Sequence, residues 1–395
     1  MADFRYIVVG RGMMGSAAAR HLSAATEGVA LIGPDEPQDA KRHSGVFASH
    51  YDEARITRTI DPDAVWARLA NRSIARYAEI ERESGIPFYH EVGCLMVGPE
   101  RVSGHSYIGG ICSAAAELGV ETQLLDDAQL SDVFPGFGFE PHCEAVFEAR
   151  QAGYINPRAL VAAQSLLAER QGVKLISETV VSVREESGLA IVLTAEGRRY
   201  TAEKVLVAAG GFSIAEGLLP QPLRMSVYAR TVTFFEIADA DLTHLAGMPS
   251  LIYEPRDPSR HIYMLPPVRY PDGRTFLKIG GDPDDLLVRD DAAMRAWFRT
   301  GGRDSVRDHH ADIMKTLVPA VDRTKISTAA CVVSKTPSGY PAIAYTQSPH
   351  IAVLTGGCGA AAKSSDEIGR LGADLLLHGR VTDDAYGVPF DASFG

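Results

Sequence analysis

With 395 residues, 46% of them hydrophobic and 23% charged, the chain has ordinary globular composition and is long enough for two domains. Its 39 basic and 50 acidic side chains leave a formal net charge of −11, which argues against nucleic acid or an anionic membrane surface as a partner. Asp3 precedes only a short apolar run, unlike a signal peptide or membrane span, and the five cysteines form no metal-type pair, so a reducing, cytoplasmic setting without a disulfide framework is expected.

Near the start, the apolar run Tyr6-Ile7-Val8-Val9 stops at Gly10-Arg11-Gly12-Met13-Met14-Gly15, and Ser16-Ala17-Ala18-Ala19 then opens a helical pattern. Strand, glycine turn and helix in this order predict a dinucleotide site. Gly10 lets the chain turn, Gly12 lets the backbone approach a pyrophosphate, and Gly15 lets helix and strand pack closely. A second strand, Val29–Ile32, should end in an acid that holds ribose hydroxyls. It ends instead in Gly33-Pro34-Asp35-Glu36, so Asp35 or Glu36 is left to serve from just beyond.

Residues 38–51 are polar and mixed, as in a loop over a bound cofactor. Arg55 and Arg58, three apart, are expected on one helical face, either solvated and paired with Asp52 and Glu53 or holding a substrate carboxylate. Asp63–Ser84 reads as one amphipathic helix with Val65, Leu69, Ile74, Tyr77 and Ile80 buried. Strands around Val92–Val97, a helix around Ser113–Leu118, a helix at Pro157–Gln171 and short strands including Val180–Val183 follow. Lys204–Val207 is an apolar strand ending near Gly210.

A strand-rich insert runs from Leu223 to Ser334. In it, alternation puts Lys278 on the face opposite Leu277 and Ile279, the usual place of an edge or snorkelling lysine. Cys331 lies in an apolar strand, where a small buried hydrophobe is the ordinary reading. Ile351–Thr355 runs into Gly356-Gly357-Cys358-Gly359, and a closing helix opens near Lys363 and stops at His378-Gly379.

Glycine-ended strands thus stand at the start, middle and end of the chain. This distribution predicts an α/β protein whose Rossmann-like nucleotide-binding domain is assembled from discontinuous segments, with a mixed-sheet substrate domain inserted between them. The expected division is 1–84, 151–215 and 335–395 for the first, and 85–150 and 216–334 for the second.

In the Gly10-x-Gly12-x-x-Gly15 turn and in five further patches, the chain resembles the monomeric sarcosine oxidase and N-methyltryptophan oxidase family, within the D-amino-acid oxidase group of flavoproteins. The patches are Ser49–Arg58, Val92–Pro99, Phe276–Gly280, Cys331–Thr336, and Gly356–Gly359 leading to Lys363. The resemblance implies FAD, with hydride transfer from a secondary or N-methylated amino acid and reduction of molecular oxygen to hydrogen peroxide by a monomeric enzyme. Arg58 and Lys363 match residues that hold the substrate carboxylate, Lys278 the lysine beside which oxygen is activated, and Tyr263 an active-site tyrosine. Arg55 matches an arginine near the flavin, and Cys331 the cysteine that carries flavin covalently in sarcosine oxidase.

The cofactor-site candidates are therefore Gly10, Gly12, Met14, Gly15, Asp35, Ser49, Arg55, Val181, Gly210, Cys331, Gly356, Gly359 and Lys363. Asp282, Val333 and Ala360–Ala362 depart from sarcosine oxidase, which points away from sarcosine itself. A flavin dehydrogenase using another acceptor and a non-catalytic flavin-binding protein are the alternatives. A nicotinamide enzyme fits the discontinuous nucleotide domain poorly.

Overall fold

The computed structural model describes residues 2–101, 104 and 106–395. Phe4–Val9 forms the central strand of an eight-stranded sheet, pairing in parallel with Val29–Ile32 on one side and with the end of Arg199–Val207 on the other. Lys174–Ile176 continues the parallel set beyond Val29–Ile32, and Ile351–Thr355 lies parallel to the end of Arg199–Val207. The three glycine-ended strands of the sequence are therefore neighbours, with Gly10, Gly210 and Gly356 gathered at the carboxyl ends of the parallel strands. Crevices of this kind are where open α/β sheets bind ligands.

Burial on both faces explains why these strands read as continuous apolar runs. Val8, Leu31, Leu206 and Leu354 pack under the helices Met13–Ser23 and Ala361–His378 through Ala18, Leu22, Ile368 and Leu371. Ile7, Val9, Ile32, Val207 and Val353 fill the opposite side with Val183 and Val192. Each such side chain removed from water contributes roughly 1.5–3 kcal/mol.

A second, nine-stranded mixed sheet carries Cys94–Pro99, Cys143–Glu148, Ser226–Glu236, Ser250–Tyr253, Ile262–Arg269, Thr275–Gly280 and Ile326–Lys335. Leu277 and Ile279 face its main core with Phe235 and Met264, and alternation turns Lys278 the other way, as the sequence predicts.

Three local expectations are corrected. Arg55–Thr57 is a strand, not part of a helix, because Arg55 and Thr57 pair with Ile155 and Gly153. The helix expected over 63–84 is two, Ala64–Ile74 and Tyr77–Ser84, although all five forecast core residues are buried. At the break, Arg76 reaches Asp366 at 2.5 Å and Glu367 at 2.5 Å in the closing helix. The insert from Leu223 to Ser334 also contains two helices, Asp291–Thr300 and Asp304–Leu317, that its strand-rich pattern does not announce. The closing helix stops as expected, with Gly379 left-handed at φ 78°. None of the five cysteines forms a disulfide, and no described helix is long and apolar enough to cross a membrane.

Candidate active site

A cavity of about 930 Å³ is lined by the glycine-rich strand ends on one side and by residues of the second sheet on the other. At its dinucleotide end, Gly10 turns the chain at φ +107°, and a Cβ there would lie 2.3 Å from the Ala208 carbonyl oxygen. A Cβ on Gly15 would lie 1.9 Å from the Gly10 carbonyl oxygen, so only glycine lets the helix start so close to the strand. Gly12 faces open space, its nearest neighbour being His50 Nδ1 at 4.0 Å.

Gly12 caps the helix Met13–Ser23 with no side-chain bond, and the first turn holds no acid. Its amides and positive dipole end are thus left for an anion. Burial, aided by Arg158, Arg11 and Arg55, depresses the His50 pKa to about 4, so this wall carries a neutral imidazole at neutral pH.

Further along, Cys331 lies on the strand Ile326–Lys335 opposite Arg230 and lines the cavity with Arg55. Its carbonyl accepts a 2.7 Å bond from Trp297 Nε1, which fixes the backbone beside the thiol. Arg55 is ion-paired with Asp52. Lys278, 1% exposed, donates to Asp52 Oδ2 at 2.8 Å and to the Ala54 carbonyl. Tyr270 Oη adds a 2.8 Å bond to Asp52 Oδ1. Burial and the nearby Arg55 charge push the Lys278 pKa well down; the Asp52 contact opposes them.

At the other end, Asp61 Oδ2 stands 2.8 Å from Arg58 Nη2 and 3.2 Å from Lys363 Nζ. Burial disfavours the Arg58 charge, but Asp61, with Glu148 behind, outweighs it and raises the pKa. For Lys363 burial prevails and lowers the pKa to about 8, against the pull of Asp61. Glu148 accepts from the Thr59 amide at 3.0 Å, and burial lifts its pKa to about 7. Tyr263 lines the cavity with its phenol pushed up to about 12 by burial.

The cavity wall brings together Gly10, Gly12, Met14, Ser49, Arg55, Arg58, Val181, Gly210, Tyr263, Cys331, Gly356, Gly359 and Lys363. Gly15 lies within the helix, Lys278 sits behind the wall, and Asp35 stands off it with its carboxylate 2.8 Å from Arg11. Glu36 likewise turns to Arg158 at 2.7 Å. Sequence reading treated Asp52 only as a local partner of an arginine and did not single out Asp61, Glu148 or Glu254. Acids three residues from Arg55 and Arg58 were the available signal, but such spacing is ordinary on protein surfaces.

Over residues 5–375 the chain matches the family described as FAD dependent oxidoreductase. The chain belongs to that family and is an FAD-dependent oxidoreductase. It is 25% identical over 385 residues to a monomeric sarcosine oxidase of Bacillus sp. (strain NS-129), covering 96% of this chain and 95% of that protein. It is 25% identical over 210 residues to an N-methyl-L-tryptophan oxidase of Yersinia pestis (strain Pestoides F), covering 53% of this chain and 54% of the other. Its fold is similar to NikD, an unusual amino acid oxidase essential for nikkomycin biosynthesis, with TM-score 0.76, 21% identity, and coverage of 100% of this chain and 98% of that one.

The residues present fit the cofactor. The uncapped helix start, the open face of Gly12 and the clash-limited Gly10 and Gly15 form a cradle for a pyrophosphate, in a cavity long enough to continue to Cys331 and Arg55.

Proposed function

We propose that the protein oxidises a secondary or N-methylated amino acid and passes the electrons to molecular oxygen, giving an imine that hydrolyses and hydrogen peroxide. Bound FAD supplies the hydride acceptor and the route of electrons to oxygen. Arg58 and Lys363 orient the substrate carboxylate, which sets the amine-bearing carbon against the cofactor. Lys278, charged and held by Asp52, is the positive group that favours electron transfer to oxygen. Cys331 is the site of a thioether to the flavin, and Tyr263 closes the substrate pocket. The enzyme acts as a monomer in a reducing, cytoplasmic setting. The two-domain division drawn from the sequence is supported by the two large sheets, which draw their strands from those alternating segments.

The observation that carries this reading is the convergence of Arg58 and Lys363 at one end of the cavity that also holds Cys331 and Arg55. One observation favours a second reading, a dehydrogenase with another acceptor: Lys278 is already paired and sits behind the wall. The test is the visible spectrum of the purified flavoprotein without oxygen, before and after N-methyl and cyclic secondary amino acids are added, and again after air is admitted. Bleaching with rapid return of colour supports the oxidase. Bleaching with slow return supports the dehydrogenase, and a yellow protein that none of them bleaches overturns both.

A further inference from the structure

Arg58 and Lys363 are not free cations awaiting an anion. Asp61 already bridges them, at 2.8 Å and 3.2 Å, and it is held in place by the Asp63 amide, 3.2 Å from Oδ1. Glu254 adds a second carboxylate to the same stretch of wall, 3.7 Å from His261. Burial raises the Glu254 pKa, Asp61 adds to the rise, and Arg58 opposes it, so these groups share one electrostatic neighbourhood. With both acids ionised, two cations and two carboxylates cancel. Glu148, behind Arg58, adds negative charge when ionised.

One donor is nevertheless left over. Arg58 Nε is buried and has no hydrogen-bond partner among the described residues, and Arg58 lines the cavity. A guanidinium offers five N–H groups and Asp61 engages this one through Nη2, so Arg58 retains donors with which to hold one ligand carboxylate. A second carboxylate on the same ligand would meet Asp61 and Glu254.

We propose that Asp61, with Glu254, sets the charge of the substrate: the site admits amino acids with one carboxylate, zwitterionic or basic, and refuses amino dicarboxylic acids. This rests on the substrate end assigned above. Repulsion between like charges a few ångströms apart in a partly buried site is worth about tenfold or more in affinity.

The test uses the FAD-loaded protein and two unreactive anions, acetate and malonate, titrated without oxygen while the flavin absorption bands are followed. Acetate should bind at least about tenfold more tightly than malonate. Asp61→Asn should shrink or reverse that ratio, and Glu254→Gln should shrink it less; the second variant carries the test if the first fails to fold. Malonate binding as tightly as acetate to the parent protein overturns the proposal, as does a ratio unchanged in every folded variant.

A parallel series of N-methylglycine, N-methyllysine and N-methylaspartate separates this claim from the oxidase reading. If the anion ratio behaves as stated while no amino acid bleaches the flavin, the oxidase reading fails and the charge rule stands. If N-methylaspartate bleaches it as readily as the others, the charge rule fails and the oxidase reading stands.

Discussion

Asp52 Oδ2 lies 2.8 Å from Lys278 Nζ, joining two buried side chains 226 residues apart in sequence. The lysine approaches from a strand of the second sheet and the acid from the segment leading into the strand that carries Arg55. If the ammonium serves oxygen, replacing it with an isosteric apolar chain should act on only one half-reaction. In Lys278→Met, stopped-flow mixing of reduced protein with oxygen should show reoxidation slowed about a hundredfold or more, and reduction by substrate changed by less than about tenfold. Equal losses in both would remove the assigned role.

Asp52→Asn tests the same pair from the acid side. It leaves the buried lysine without its counter-charge, and removing one partner of a buried pair costs about 3–5 kcal/mol. Because Lys278 is already pushed towards its neutral form by burial, the variant should hold the ammonium only at lower pH. Reoxidation should then be slow near neutrality and recover as pH falls, with a lower urea midpoint. A flat pH profile at the parent rate would refute this.

The parts of this molecule that were legible in the sequence are those whose cause is local. Gly10, Gly12 and Gly15 are demanded by one turn, and the apolar strands ending at Gly10, Gly210 and Gly356 follow from burial on both faces. The helical face expected for Arg55 and Arg58 fails because three-residue spacing does not reveal that residues 153–155 pair with Arg55–Thr57 from far along the chain, leaving Arg58 just past the end of that strand. The break between Ile74 and Tyr77 has no glycine or proline to announce it, and Arg76 there makes its ion pairs with the closing helix. Asp61 was missed for a similar reason. Its pair with Arg58 looks like a surface contact until Lys363, about 300 residues later, closes over it.

Cys331 gives a prediction with a visible outcome. Its thiol lies on the cavity wall, and its backbone is fixed by the Trp297 bond at 2.7 Å. If flavin is joined there, acid precipitation should leave the parent pellet yellow and release the colour from Cys331→Ser into the supernatant. A yellow pellet from the variant would place the attachment elsewhere, and a colourless parent pellet would mean no covalent bond.

The glycine cradle should be intolerant of a single methyl group. In Gly15→Ala the added Cβ would meet the Gly10 carbonyl oxygen at 1.9 Å and the Ala208 Cβ at 3.3 Å, and neither a backbone carbonyl nor an alanine methyl is a flexible side-chain end that can yield. The expected cost is about 1–3 kcal/mol or more, as for overpacking elsewhere, read as a lowered melting temperature together with weaker FAD retention. By contrast, Gly12→Ala meets only His50 at 4.0 Å. It should fold normally and lose affinity for the cofactor alone. Wild-type melting and retention in Gly15→Ala would contradict the close packing described here.

Lys363 carries a pH dependence whose sign can be worked out. Burial lowers its pKa to about 8, with Arg58 adding to the fall and Asp61 and Glu148 resisting it. An unfolded lysine titrates near 10.4, so the folded chain binds fewer protons between about 8 and about 10.4. This group therefore costs stability below pH about 8, and that cost is relieved as pH rises through the window. Binding runs the other way. The ammonium is present below about 8 and lost above it, so acetate affinity, followed through the flavin bands, should fall about tenfold between pH about 7 and about 9. Lys363→Met should bind acetate more weakly at neutral pH and lose that inflection. An inflection that persists in the variant would assign the titration to another group, with Glu148, lifted by burial to about 7, the first candidate.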